Sequence, residues 1–131
     1  MAETKTNVMR LLDQRGIPYI PHQYPCPDGA VDGVSVAGLL GQDPNTVFKT
    51  LVTQAGSRTY YVFVIPVAHT LDLKAAARAV GEKSIEMIKQ AQLLGLTGYV
   101  HGGCSPIGMK KAFPTVLDSS AQDLDRMVVS A

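Results

Sequence analysis

Two apolar stretches stand close together in the middle of the chain and restrict what it can fold into. Val47-Phe48-Lys49-Thr50-Leu51-Val52 is followed, after Gln54-Ala55-Gly56-Ser57, by Arg58 to Val67, which contains Tyr60, Tyr61, Val62, Phe63, Val64 and Ile65. Runs rich in β-branched and aromatic residues, separated by a short glycine-containing turn, read as an antiparallel hairpin. Parallel neighbours need a long crossover that this spacing does not provide, so a purely parallel sheet is excluded. The first run alternates Val47, Lys49, Leu51 with Phe48, Thr50, Val52. Both sets are largely apolar, so this strand is expected to be buried on both sides, with Lys49 intruding on one. Pro66 marks the end of the second strand.

Helices are expected around the hairpin. Thr4 or Thr6 can cap a first helix in which Val8, Leu11 and Leu12 recur at helical spacing before Gly16, with Arg10 and Arg15 off the apolar face. Ile17 to Tyr24 carries Pro18 and Pro21 and reads as an edge strand or extended segment, with His22 and Tyr24 on one side. Pro25 to Gly33 is a loop, Val34 to Leu40 a short helix ended by Gly41, and Asp43-Pro44 a cap opening a single turn. Leu73, Ala76, Ala77 and Val80 mark a second main helix stopped by Gly81. Lys83 to Met87 reads as a short strand and Lys89 to Leu94 as a third helix closed by Gly95. Tyr99-Val100, Val116-Leu117 and Met127-Val128-Val129 read as further strands, the last two separated by a polar turn at Ser119 and Ser120. The expected fold is an α/β domain with a mixed, curled sheet and helices outside it.

At 131 residues, 46% hydrophobic and 18% charged, the chain suits one globular domain. No stretch approaches the roughly 18 apolar residues of a membrane span, and no signal-peptide pattern opens the chain. Cys26 and Cys104 make neither a disulfide framework nor a zinc spacing, so free thiols in the cytosol are the simplest account. A formal charge of +1 argues against tight nucleic-acid binding by overall electrostatics, but leaves room for a local basic pocket.

Chemistry is expected at Gly102-Gly103-Cys104-Ser105-Pro106-Ile107-Gly108, where three glycines and a proline fall within seven residues. Backbone N–H groups that cannot all enter a ladder can cradle an anion or a developing oxyanion; a plain surface turn is the competing reading. Lys49, on an otherwise apolar strand, must pair with a charge, bind an anion or snorkel to water. Thr50 points to the other face and reads equally as an ordinary strand residue. Tyr24 can stack on a base or line a core. Cys104 invites a nucleophile, for which a thiolate needs a nearby base or cation. His22, His69 and His101 have no metal-ligand spacing, no Ser-His-Asp set can be assembled, and no phosphate-binding P-loop is present.

Lys5-Thr6-Asn7-Val8-Met9-Arg10-Leu11-Leu12, Val47-Phe48-Lys49-Thr50-Leu51, Leu71-Asp72-Leu73-Lys74, and Thr97-Gly98-Tyr99 through Gly102-Gly103-Cys104-Ser105-Pro106-Ile107-Gly108 together resemble the YbaK/EbsC proteins of the prolyl-tRNA synthetase editing-domain superfamily. The resemblance runs through essentially the whole chain in order. It implies a single editing domain over 1–131 with a barrel-like mixed sheet flanked by helices. It implies a cytoplasmic trans-editing deacylase acting on the aminoacyl end of tRNA, with Cys-tRNA(Pro) the substrate of the YbaK type, and neither metal nor organic cofactor. A transient complex with prolyl-tRNA synthetase goes with it. On the matching positions, Lys49 and the loop residues Gly102, Gly103 and Ser105 would be catalytic. Tyr24, Thr50, Tyr99, Cys104, Pro106 and Ser130 would bind substrate.

The implied chemistry is substrate-assisted: the thiol of the bound cysteine attacks its own ester carbonyl, giving a thiolactone and free tRNA. Two departures accompany the resemblance. The chain stops at Ser130-Ala131, where family members continue into a further strand, so a C-terminal strand is expected to be lacking. The Pro25 to Gly33 loop also has no aromatic residue where the best-known members carry one. The alternative is a non-catalytic module on the same fold that binds a tRNA end or a synthetase.

Overall fold

The computed structural model describes residues 6–21, 41, 43–56, 58–99, 104–111 and 113–129. The hairpin is its centre. Strand β1 (Phe48–Ala55) pairs antiparallel with β2 (Tyr60–Pro66), in register from Phe48 opposite Pro66 to Gln54 opposite Tyr60. Strand β3 (Ile85–Met87) joins the far edge of β1 antiparallel, and β4 (Thr115–Leu117) joins β2 in parallel. The sheet is therefore mixed, as the hairpin requires, in the order β3-β1-β2-β4. Among the described residues it is open rather than closed into a barrel, because β3 and β4 pair on one side only.

Alternation along β1 and β2 divides the core in two. Phe48, Val52, Val62 and Val64 pack with Leu93 and Cys104 on one face. Ala55 and Phe63 pack with Ala76, Ala77 and Ile85 on the other. Burial on both sides explains why β2 is almost continuously apolar; each fully buried valine or phenylalanine contributes about 1.5–3 kcal/mol.

Helix α1 (Asn7–Gln14) starts where Thr6 Oγ1 accepts from the Met9 amide at 3.2 Å, and it buries Val8. Helix α2 (Leu73–Val80) is capped by Asp72, whose Oδ1 accepts from the amides of Lys74 and Ala75. It covers the Phe63 face with Ala76 and Ala77. Helix α3 (Gln90–Thr97) covers the opposite face with Leu93.

The structure departs from the sequence reading at several places. Of the two readings for Ile17 to Tyr24, the edge strand is not formed at residues 17–21, where two prolines remove ladder donors, and residues 22–24 lie outside the described residues. Asp43-Pro44, by contrast, opens a single turn as read, with Asp43 Oδ1 accepting from the Asn45 amide. Helix α3 runs through Gly95, an exposed site where an interior glycine costs only about 1 kcal/mol. It stops instead at Gly98, whose φ of +83° is a left-handed cap that an L side chain rarely adopts. Tyr99 lies outside any strand. The Met127–Val129 segment contributes a single bridge, Val128 parallel to Val47. The polar turn at Ser119 and Ser120 is a 3₁₀ helix, Ser119–Asp123. The helix read at 34–40 and the loop at 25–33 lie outside the described residues.

Candidate functional site

The site begins on β1. Thr50 shares a face with Phe48 and Val52, and its partner in register is Val64. Those three residues belong to the apolar cluster that also holds Cys104. A hydroxyl in such surroundings needs a partner, because an unmet buried donor or acceptor costs about 1–3 kcal/mol. Thr50 Oγ1 is sealed from solvent and has none among the described residues. The contrast with Thr53 is informative. That threonine, on the opposite face and wholly buried, donates through Oγ1 to the Tyr61 carbonyl at 3.0 Å.

The free edge of β1 is covered in two pieces. The Phe48 amide donates to the Val128 carbonyl at 2.8 Å, and the Ile88 amide donates to the Val52 carbonyl at 3.3 Å. Thr50 lies between these contacts. Lys49 leaves the strand on the other side, beside Ile65, and is half-buried. Of the two, Thr50 is the one that shares a face with Cys104.

The second part of the site is the turn after α3. Thr97, 1% exposed, organises it. Its Oγ1 donates to the Leu93 carbonyl at 2.8 Å and accepts from the Tyr99 amide at 3.0 Å, while its carbonyl accepts from the Lys110 amide at 2.9 Å. The Tyr99 hydroxyl then donates to the Ile107 carbonyl at 2.6 Å, and the Ile107 amide donates to Ser105 Oγ at 3.2 Å. These bonds pin the chain from both ends around Cys104, Ser105 and Pro106. Ser105 is fully buried and its side chain serves the turn, so any contact with substrate falls to its backbone. Neither the Cys104 nor the Ser105 amide donates to a partner among the described residues.

Burial pushes the Cys104 thiol above its usual range, with the Thr97 side chain acting in the opposite sense. At neutral pH the sulfur is therefore a protonated thiol packed in the core, which is the wrong state for a nucleophile. Burial also raises the Tyr99 phenol, with Cys104 adding to the effect, so Tyr99 remains a hydrogen-bond donor.

A hollow of about 390 Å³ adjoins the turn, lined by Leu11, Leu12, Arg15, Ile17, Ile107 and Gly108. Gly108 closes the contact with α1. Its φ is +74°, and a Cβ there would meet Asn7 Nδ2 and Leu11 Cδ1 at 3.1 Å and the Tyr99 oxygen at 3.2 Å. A second hollow of about 270 Å³ lies against the Phe63 face, with His69, Asp72 and Asp118 at its rim. Among the described residues, no three His, Cys, Asp or Glu side chains come together as a metal site. No described helix is long and apolar enough to cross a membrane.

The structure thus brings Thr50, Tyr99, Cys104, Ser105 and Pro106 into one region, and puts Lys49 on the other face of the same strand. Tyr24, Gly102, Gly103 and Ser130 lie outside the described residues. Thr97 and Gly108 lie within the motifs that carry the resemblance, but sequence alone gives neither a role of its own; the structure makes both of them organisers of the turn. The available signals were a polar residue ending a helix just before a glycine, and a glycine completing the Pro106-Ile107 turn.

The sequence pattern of the family described as aminoacyl-tRNA editing domain matches residues 29–131. A curated relative from Enterococcus faecalis, provisionally named Cys-tRNA(Pro)/Cys-tRNA(Cys) deacylase EbsC, is 43% identical over 129 residues, covering 98% of this chain and 79% of that protein. Among solved structures, the chain is similar to the crystal structure of a hypothetical protein, with a TM-score of 0.84 at 21% identity over 95% of this chain and 81% of the other. It is also similar to a crystal structure described provisionally as a trans-editing enzyme for prolyl tRNA synthetase. There the TM-score is 0.71 at 24% identity, over 88% of this chain and 74% of the other. At these identities the two structures establish the likeness of fold.

Proposed function

The chain belongs to the aminoacyl-tRNA editing domain family, and from that premise we propose that it is a trans-editing deacylase that releases cysteine from Cys-tRNA(Pro). The 43%-identical relative, named for the same ester, supports the substrate. The observation that carries the reading is the Thr50 hydroxyl, buried without a partner among the described residues on the same face as the turn whose Cys104 and Ser105 amides find no acceptor among those residues. Donors held without a partner inside a folded protein are what an ester carbonyl needs as it becomes an oxyanion.

The chain's own groups hold and polarise rather than attack. Cys104 is a buried thiol, and His69 sits at the hollow on the opposite face. The nucleophile then comes from the substrate. The thiol sulfur of the esterified cysteine attacks its own carbonyl carbon. The bond from that carbon to the ribose oxygen breaks, and the thiol proton ends on the ribose hydroxyl, leaving a cyclic thiolactone and free tRNA. Bringing sulfur and carbonyl together is a positioning task, in which proximity replaces a protein base. The backbone from Gly102 to Ser105 supplies oxyanion donors, each worth roughly 3 kcal/mol in comparable enzymes. The resemblance assigns Lys49 to the phosphate or ribose side of the terminal nucleotide; because it leaves β1 by the face opposite Thr50, its side chain has to reach the substrate around the strand's edge, a role that the Lys49→Ala variant tests. Tyr24, Tyr99, Pro106 and Ser130 shape the pocket. Prolyl-tRNA synthetase is the partner from which the mischarged tRNA is taken, in the cytoplasm.

The test is a deacylation panel with cysteinyl-, alanyl- and prolyl-tRNA(Pro), following loss of the ester and the thiolactone product. Cys-tRNA(Pro) is expected to be cleared selectively, with Lys49→Ala folded but inactive. Binding of tRNA with no loss of any ester would assign the chain to a non-catalytic binding role. An unchanged rate in Lys49→Ala would remove that lysine from the site.

A further inference from the structure

An overall charge of +1 conceals an uneven distribution. Between residues 6 and 21 and between 104 and 111 the chain carries Arg10, Arg15, Lys110 and Lys111 against one carboxylate, Asp13. The fold brings these two segments together. Gly108 packs against Asn7 and Leu11 of α1. Arg10 lies three residues beyond Asn7 and Arg15 four beyond Leu11, so both flank that contact on the helix surface. Lys110 and Lys111 follow Gly108 directly, with the Lys110 amide tied to the Thr97 carbonyl. All four cations are exposed, and none forms an ion pair among the described residues. Asp13 is engaged by the Tyr19 hydroxyl at 3.3 Å.

Elsewhere cations are balanced. The α2 to β3 region carries Lys74, Arg78 and Lys83 against Asp72, Glu82 and Glu86. The uncompensated cations border the turn that holds Cys104, Ser105 and Pro106, through Ile107 and Gly108.

We propose that this face, formed by α1 and residues 107–111, is where the phosphate backbone of the tRNA acceptor stem lies while its 3′ end enters the site. The inference rests on the deacylase reading for the identity of the RNA. Its chemistry is that of a polyanion: exposed, unpaired cations exchange condensed counterions for contacts to phosphate. With four cations the affinity is modest and strongly salt-dependent.

The experiment measures binding of uncharged, fluorescently labelled tRNA(Pro) by anisotropy across a KCl series. Uncharged tRNA carries no ester, so the outcome is independent of whether the chain hydrolyses one. Variants are Arg10→Gln/Arg15→Gln, Lys110→Gln/Lys111→Gln and all four together, with Lys74→Gln/Arg78→Gln as the control on the balanced face. Glutamine keeps a long polar stem at exposed positions, and circular dichroism verifies the fold. The fourfold variant is expected to flatten the plot of log Kd against log salt by about 3 to 4 and to weaken binding at least about tenfold at low salt. Each pair should account for about half of that slope, and the control should bind like the parent. The proposal is overturned if the parent does not bind at low salt, if the fourfold variant keeps the parent's slope, or if the control loses as much.

Discussion

Replacing Thr50 by valine is expected to make this protein more stable and less active at once. The hydroxyl is buried on the face of Phe48, Val52 and Val64 with no hydrogen-bond partner among the described residues. Its desolvation is therefore uncompensated, at about 1–3 kcal/mol. Valine exchanges the hydroxyl for a methyl group of similar size and adds apolar contact to a face already lined by valines. Allowing for imperfect packing, a gain of about 1 kcal/mol is expected, which for a chain of this size raises Tm by about 3–5 °C. In the deacylation assay the same change removes one hydrogen bond to the bound ester, lowering kcat/KM roughly two- to tenfold. Thr53→Val is the internal control. Its hydroxyl is satisfied by the Tyr61 carbonyl, so its removal is expected to cost about 0.5–1.5 kcal/mol. The two neighbouring Thr→Val changes should thus move Tm in opposite directions. If Thr50→Val destabilises as Thr53→Val does, the hydroxyl has a structural partner. If it stabilises without loss of activity, Thr50 does not touch the substrate.

Gly108→Ala forces a side chain into the left-handed region and against Asn7, Leu11 and the Tyr99 oxygen, so a loss of at least about 1–2 kcal/mol is expected in urea unfolding. Tyr99→Phe removes the 2.6 Å bond to the Ile107 carbonyl and should cost about 1 kcal/mol, with a larger fall in deacylation than in stability because the turn loses its tether. Cys104, its pKa raised mainly by burial, should react with iodoacetamide far more slowly at neutral pH than a free thiol, and Cys104→Ser should keep most of the activity. Because burial raises the folded-state pKa of Cys104, its contribution to stability is complete below the unfolded thiol pKa and is lost as pH rises through the folded one. Thermal scans from neutral into alkaline pH should show parent Tm falling more steeply than that of Cys104→Ser.

The hairpin, the first two helices and the turn ending at Gly108 were legible in the chain because each rests on local signals: strand patterning, Thr6 as a cap, and glycine where an element ends; the Asp72 cap came only with the structure. The end of α3 was not, because Gly95 and Gly98 look alike in sequence. Tertiary contact separates them: Gly98 is followed by a backbone tied to the Thr97 hydroxyl, whereas a Cβ on Gly95 would meet nothing within 4 Å. The pattern of Met127-Val128-Val129 likewise suggests a strand where the fold makes a single bridge at Val128, since pairing depends on which edge of β1 remains free.

Lys49 stands out in the sequence because a charge on an apolar strand is conspicuous, and Thr50 does not, because threonine is an ordinary strand residue. Alternation along the strand, readable in the sequence, puts their side chains on opposite faces. Which of those faces receives Cys104, and whether the Thr50 hydroxyl finds a partner there, depends on segments about fifty residues away in sequence. Composition and local pattern determined that this chain makes a mixed α/β domain with a glycine turn late in its length. Only the packing of α3 and that turn on the sheet decided which residues share a face, because burial and hydrogen-bond satisfaction are properties of contacts, and contacts between distant segments are not written in either segment alone.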